Sequence, residues 1–224
     1  MKDRIKESYE LSKNIYDDVL TQNRWWSRLY INIFWKGVDD NVIAERVLSC
    51  LPEDLVGRVL DVPCGTLVFT ANRYRKMTKT KIVCLDYSED MLEKAKARAG
   101  SAGLTNTEFI QGDVGALPFE NESFDYVLTM NGIHAFPDKE RAWKEITRVL
   151  RTGGELIGCY YIKGESKITD WLVSNILAKK GWFTPPFDTK KSLRERLGED
   201  YEISELKIEG PMVIFSATKR KAVK

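Results

Sequence analysis

The feature that most constrains the fold is an alternation of short apolar segments with helical segments between residues 58 and 161. Strands are predicted at 58–62, 81–86, 107–111, 124–130 and 155–161. Such alternation is typical of a mostly parallel sheet covered by helices on both faces. Helices are predicted from Thr66 to about Lys76, after Ser88, and from Asp138 to Leu150, with Ser88 and Asp138 as N-caps. Two further strands, at 201–208 and 212–218, are joined by so short a link that they must pair antiparallel. The pattern predicts an α/β fold: a doubly wound, Rossmann-like, mostly parallel seven-stranded sheet that ends in an antiparallel hairpin.

The first 50 residues have a different character. Residues 3–50 are predicted to be largely helical, with a last helix from about Asn41 to Cys50. They include an aromatic cluster, Trp25, Trp26, Tyr30, Phe34 and Trp35. The sequence Leu51-Pro52 marks a break. We therefore expect residues 1–50 to form an N-terminal helical cap, or lid, and residues 51–224 to form the ligand-binding domain.

Charge and cysteine content narrow the classes of partner. The chain has 35 Lys and Arg and 33 Asp and Glu, a net charge of +2. So small a charge gives no strong positive electrostatic field to attract a nucleic acid. The chain has no apolar run long enough for a membrane span, and its polar start argues against a secretory signal. Four separated cysteines and a single histidine favour a reduced, cytoplasmic protein without a metal site.

Chemically distinctive residues follow the first four predicted strands. In open α/β sheets, ligands bind beyond the carboxyl ends of the strands. Asp86 ends the second strand 21 residues after Gly65, close to the roughly 20 expected of a carboxylate that accepts ribose hydroxyls. The strand-end residues are Asp61, Pro63, Cys64 and Gly65 after the first strand, Asp86 and Tyr87 after the second, Gly112, Asp113 and Val114 after the third, and Met130 and Asn131 after the fourth. Their joint placement predicts one ligand site at this edge of the sheet.

These segments resemble the class I S-adenosylmethionine (SAM) dependent methyltransferases of the small-molecule branch. The resemblance covers about residues 55–160 and is carried by LDVPCGT at 60–66, LDYSEDMLEKAKARA at 85–99, FIQGDVGALPFENESFDYVLTMNGIHAFPD at 109–138 and EITRVLRTGGEL at 145–156. The central segment is similar to the menaquinone and ubiquinone C-methyltransferases. The resemblance implies SAM as cofactor and a small-molecule methyl acceptor, with no nucleic acid partner and an unspecified oligomeric state.

The resemblance also implies a role for each strand-end residue. Asp86 would bind the ribose diol, and Asp113 would reach the adenine amino group. The other cofactor-binding residues implied are Met91 and Val114 beside the adenine, Pro63, Cys64 and Gly65 under the methionine and ribose, Asp61 at the amino acid end, Met130 and Asn131 beside the sulfonium, and Tyr87 and Gly112 in the same loops.

His134 is the candidate catalytic residue, because it follows the fourth strand on the side expected for the methyl acceptor. It is either a general base or a loop histidine that only packs and forms hydrogen bonds. A sulfonium is already a good leaving group, so alignment and desolvation can supply most of the acceleration without a base. The aromatic segment 182–187 has a similar pair of interpretations, core packing or a lid over an apolar acceptor site.

Two departures from the family pattern leave alternatives open. Pro63 and Leu67 stand where the family commonly has glycine, and Pro63 has no N–H to offer a ligand. A nicotinamide dehydrogenase would need glycine at 63, 65 and 68, but Val68 also departs from that pattern. SAM has no phosphate and tolerates this loss, so SAM is favoured over NAD. A non-catalytic SAM-binding module, and a methyltransferase acting on nucleic acid or protein, remain as alternatives.

Overall fold

The computed structural model describes residues 37–221. The helices are α1 (Asp40–Ser49), α2 (Ala71–Lys76), α3 (Glu89–Ala102), α4 (Lys139–Val149), α5 (Lys167–Leu172) and α6 (Lys190–Asp200). The strands are β1 (Gly57–Asp61), β2 (Thr80–Asp86), β3 (Thr107–Gln111), β4 (Phe124–Met130), β5 (Leu150–Tyr161), β6 (Tyr201–Glu209) and β7 (Met212–Lys219). A 3₁₀ turn (Val114–Ala116) follows β3, and a π-helical turn (Val173–Leu177) continues α5.

Within these described residues, seven strands form one sheet in the order β3-β2-β1-β4-β5-β7-β6. Strands β1 to β5 pair in parallel, and β7 is antiparallel to both β5 and β6. The predicted α/β, Rossmann-like fold with an antiparallel finish is therefore confirmed. The strand order changes direction between β1 and β4, and in such sheets a crevice opens at the carboxyl ends of these strands.

Both faces of the sheet are covered, as the apolar strands require. Neighbouring residues on β1 point to opposite faces: Leu60 packs in a cluster with Ile146 of α4 and Leu193 of α6. Val59 packs in a second cluster with Val47 of α1 and Leu92 of α3. This three-layer packing fixes the strand ends that carry the site.

N-cap residues fix where helices α3 and α4 begin. The Ser88 hydroxyl accepts from the Met91 N–H at the start of α3, and the Asp138 carboxylate accepts from the Arg141 N–H at the start of α4. Both caps were predicted from the sequence. Because α3 begins three residues after β2 ends, its first turn lies at the edge of the sheet where the strand-end residues gather.

Two predicted elements have the wrong bounds, and two helices were not predicted. A helix was expected from residue 66, but α2 begins at Ala71, because Gly65 and Leu67 adopt positive φ and turn the chain first. β5 begins at Leu150 rather than 155, because Leu150 already pairs with Phe124. Helices α5 and α6 had no strong sequence signal and were not predicted.

Only part of the predicted N-terminal lid falls within the described residues. Helix α1 confirms the helix expected from 41 to 50, and its residues Ile43 and Val47 are buried in the same cluster as β1 and β2. Residues 1–36, which contain the aromatic cluster, lie outside the described residues. From residue 37 to 221 no helix combines the length and the apolar character needed to cross a membrane.

Candidate active site

A cavity of about 610 Å³ lies at the carboxyl ends of the first four strands. All twelve residues predicted to bind the cofactor line it: Asp61, Pro63, Cys64, Gly65, Asp86, Tyr87, Met91, Gly112, Asp113, Val114, Met130 and Asn131. Four loops that are distant in sequence thus meet at one edge of the sheet, as the parallel topology requires.

Asp86 lies between the loops after β1 and β2. It is 8% exposed, its Oδ2 accepts from the Gly65 N–H at 2.9 Å, and its Oδ1 accepts from the Ser88 N–H at 2.9 Å. Burial raises the pKa of Asp86, and the backbone N–H bonds oppose that rise. A carboxylate oxygen has more than one lone pair, so both oxygens can still accept from a ligand.

The loop after β3 supplies a second carboxylate and an apolar surface. The Asp113 Oδ1 accepts from the Gly115 N–H at 2.8 Å, which caps the 3₁₀ turn. Val114 and Met91 are 8% and 7% exposed and line the same cavity. This part of the cavity therefore combines a hydrogen-bond acceptor with side chains against which a flat ring can pack.

Asp61 is the most deeply buried carboxyl group of the site, at 1% exposure. The Tyr74 hydroxyl, from α2, donates to its Oδ2 at 2.7 Å. Burial raises the pKa of Asp61 to about 7, while the Tyr74 bond lowers it and the nearby Asp86 charge raises it. Tyr74 was not predicted as part of the site, because its position on a helix after β1 carries no motif.

The two departures from the family pattern have clear structural consequences. A Cβ added to Gly132, after β4, would lie 2.1 Å from the Cδ of Pro63, so these two loops pack in direct contact. Leu67 has a φ of 57° and is 1% exposed. Glycine adopts this left-handed conformation freely, whereas an L side chain pays about 1–2 kcal/mol for it. The family preference for glycine at position 67 is thus explained.

Asn131 carries a buried acceptor that has no partner among residues 37–221. Its N–H donates to the Cys159 carbonyl oxygen at 2.8 Å and its φ is 55°, which holds the residue at the end of β4. Its Oδ1 is buried and accepts no hydrogen bond from the described residues. Since a buried polar atom is normally satisfied, this oxygen fits a ligand that donates to it.

His134 lies outside the cavity lining. It is 6% exposed, its Nδ1 accepts from the Tyr161 N–H at 3.2 Å, and its ring stacks on Phe183 with centroids 4.2 Å apart. Burial and the Lys139 charge lower the pKa of His134 to about 3. With Nδ1 accepting, the neutral ring carries its proton on Nε2. The geometry favours the packing interpretation over the predicted general base.

Sequence reasoning missed three apolar residues that line the cavity, Phe69, Phe136 and Pro137. The sequence Ala-Phe-Pro after β4 was the available signal for two of them. The segment 182–187 contacts that loop from the outside, because the Thr184 N–H donates to the His134 carbonyl oxygen at 2.9 Å. Phe183, which is 9% exposed, packs in a cluster with Tyr161 and Leu172 and does not line the cavity.

The site holds carboxylates but no arrangement suited to a metal. Across residues 37–221, no group of three or more His, Cys, Asp or Glu side chains is placed to bind a metal ion. All four cysteines are free. The hydrogen bond to Cys84 and burial raise the pKa of the Cys64 thiol, so the thiol beside the cavity stays protonated.

A family model described as a methyltransferase domain matches residues 56–186, more than half of the chain. The chain belongs to this methyltransferase family. The match includes every strand-end loop that lines the cavity, and it confirms the resemblance to class I, SAM-dependent methyltransferases.

Relatives and solved structures agree with this family. The methyltransferase is 42% identical over 106 residues to a demethylmenaquinone methyltransferase of Lactococcus lactis, an alignment that covers 46% of this chain and 42% of the relative. The chain thus spans less than half the length of this curated relative. It also resembles a possible histamine N-methyltransferase of Thermotoga maritima (TM-score 0.67, 23% identity, 96% of this chain and 100% of that one). A SAM-dependent methyltransferase of Aquifex aeolicus has a TM-score of 0.63 at 17% identity, with 91% and 97% of the chains covered. The two structural similarities support the fold.

Proposed function

We propose that this methyltransferase moves the methyl group of SAM to a small apolar or aromatic molecule by in-line displacement. The observation that carries the proposal is the single cavity in which Asp86 and Asp113 lie together with the apolar residues Phe69, Phe136 and Pro137. Its polar part suits a nucleoside, and its apolar part suits the acceptor.

The residues present fit SAM. The Asp86 carboxylate would accept from the ribose hydroxyls, which strengthens the contact because the acceptor is charged. Asp113 would accept from the adenine amino group, with Met91 and Val114 against the ring. The unpartnered Asn131 Oδ1 would accept from a donor at the methionine end of the cofactor.

When bound, SAM supplies an electrophilic methyl group on a positively charged sulfonium, which is a good leaving group. The chain then has to align the acceptor and exclude water. The Asp61 and Asp86 carboxylates favour the cationic cofactor by their charge. The apolar wall of Phe69, Phe136 and Pro137 would hold the acceptor away from bulk water. Alignment and desolvation can supply most of the acceleration, so the proposal does not depend on a general base.

The acceptor is proposed to be an apolar ring compound. The Lactococcus lactis relative is named as a demethylmenaquinone methyltransferase, and a quinone-like ring is an acceptor that an aromatic and aliphatic wall can hold. Residues 1–36 would cover the carboxyl edge of the sheet as a lid, since seven aromatic side chains are unusual for a solvent-facing extension. A cytoplasmic location, suggested by the cysteine pattern, belongs to the same proposal.

The test is transfer of a radiolabelled methyl group from SAM to a panel of quinols and other small aromatic acceptors, with RNA, DNA and a protein extract as competing panels. Labelled small-molecule product that depends on Asp86 supports the proposal. Tight SAM binding with no product on any panel would support the non-catalytic alternative, and label confined to the nucleic acid or protein would support the macromolecular one. Either result contradicts the proposal.

A further inference from the structure

Arg98, outside the cavity, contacts the cofactor-binding loop from behind. It lies in the third turn of α3 and is half-buried. Its Nη1 donates to the Thr66 hydroxyl at 2.7 Å and also to the Thr66 carbonyl oxygen. One guanidinium nitrogen thus holds both acceptors of a residue that is itself only 8% exposed.

Thr66 lies in the part of the loop whose backbone conformation is least favourable. It lies between Gly65 and Leu67, whose φ values are 53° and 57°. Leu67 holds this left-handed conformation at a cost, because its side chain favours other regions. Pro63, at the start of the loop, has no N–H with which to form a restraining bond. Within the turn, the Leu67 N–H donates to the Cys64 carbonyl oxygen at 3.2 Å, and contacts from neighbouring elements add to this restraint.

Helix α3 joins the cavity to the loop after β1. Met91 lines the cavity from the first turn of α3, and Arg98 follows seven residues later, on the same face two turns along. Asp86 accepts from the Gly65 N–H, while Arg98, which does not line the cavity, donates to Thr66, which does. The loop is thereby fixed between β2 and the helix that follows it.

We propose that Arg98 is a positioning residue that sets SAM affinity by holding Thr66, and with it Cys64 and Gly65, in the binding conformation. The inference rests on the proposed function, because it takes SAM as the ligand of this loop. Arg98 touches neither the cavity nor the reacting atoms. Its loss therefore weakens cofactor binding more than it slows a saturated enzyme.

The experiment compares SAM affinity by calorimetry in the full chain and in Arg98→Met, Arg98→Lys, Thr66→Val and the Arg98→Met/Thr66→Val double variant. Arg98→Met weakens binding about tenfold or more, as expected for a lost bond from a charged donor, and Arg98→Lys recovers part of the loss. Thr66→Val weakens it about fivefold. The double variant is no worse than Arg98→Met, because both changes remove one interaction.

The control is Arg194→Met, an exposed arginine on α6 remote from the loop, which keeps wild-type affinity. If Arg98→Met does not fold, the nearly isosteric Thr66→Val carries the test. Unchanged SAM affinity in a folded Arg98→Met protein overturns the inference. If that variant does not fold, unchanged affinity in Thr66→Val overturns it instead. So does a double variant whose loss of binding free energy equals the sum of the two single losses. Absence of SAM binding by the wild-type chain overturns the proposed function instead, so the two failures are distinguished.

In turnover assays the same role raises KM for SAM in Arg98→Met while kcat and KM for the acceptor change much less. A purely structural role would lower the melting temperature without raising KM for SAM selectively over KM for the acceptor. A fall in kcat as large as the expected rise in KM, with KM for SAM itself unchanged, would contradict a positioning role.

Discussion

The Gly65 N–H donates to the Asp86 Oδ2 at 2.9 Å, although the two residues are 21 positions apart in the sequence. The carboxylate proposed to bind the ribose is therefore also the group that orients the loop after β1. Ser88 donates to the other oxygen, so the whole carboxylate is held by backbone groups before any ligand arrives. Such preorganisation lowers the cost of ordering the site on binding.

SAM affinity is expected to rise with pH up to about 7. Burial raises the pKa of Asp61 to about 7, and the groups facing it are Tyr74, Cys64, Cys84 and Asp86. The cationic cofactor favours the ionised carboxylate, so binding at lower pH must release a proton from Asp61. Calorimetry between about pH 5.5 and 7.5 should show rising affinity together with proton release.

The Asp61→Asn variant is the control for this pH dependence. It should bind more weakly at pH 7.5 and lose most of the pH dependence. The free protein gives a second check, because an acid whose pKa rises on folding binds extra protons in the folded state. Its contribution to stability is therefore lost as pH rises from about 4 to about 7, and Asp61→Asn should reduce that loss. A wild-type affinity that is flat with pH would contradict the assignment.

His134 is expected to act through packing. In His134→Asn the amide oxygen can still accept from the Tyr161 N–H, so we expect a less stable protein whose turnover falls by less than about tenfold. Loss of a general base would cost about 100- to 10,000-fold and would remove a limb from the pH–rate profile. Steady-state rates across pH, with melting temperatures measured in parallel, separate these outcomes.

Strands and strand-end residues were predictable because each depends on a short stretch of sequence. β4 was predicted with the bounds it has, and the cap residues Ser88 and Asp138 were identified from their side chains. Eleven of the twelve cavity residues lie at or just after a strand end, where ligands of parallel sheets bind, and Met91 was implied by the family resemblance. The parallel order of the strands then brings those ends together.

Contacts between distant segments were not predictable in the same way. The burial of His134 depends on Phe183 and Tyr161, which approach it from elsewhere in the chain. The Tyr74 bond to Asp61 joins a helix to the end of β1, and the Arg98 bonds to Thr66 join a helix to a loop; neither has a sequence motif. The late start of α2 depends on Leu67 adopting a conformation that its own side chain disfavours.

The lid proposal predicts that residues 1–36 matter for turnover more than for cofactor binding. A chain that begins at residue 37 should keep much of its SAM affinity and lose most of its methyl transfer, because water would reach the acceptor. In the full chain, Trp26→Ala and Trp35→Ala should lower turnover in the same direction. Full activity in a folded, shortened chain would show that these aromatic residues are ordinary packing.

The most direct test of the account is calorimetric titration of SAM into the wild-type protein and into Asp86→Asn, with Asp54→Asn, an exposed carboxylate, as the matched control. We expect wild type and Asp54→Asn to bind SAM alike, and Asp86→Asn to bind about ten- to a hundredfold more weakly, since an amide cannot replace the charged acceptor. NAD should give no comparable heat, because Pro63, Leu67 and Val68 deny a pyrophosphate its glycine cradle. Equal SAM affinity in a folded Asp86→Asn protein, or NAD binding that competes with SAM, would contradict the assignment of this cavity to SAM.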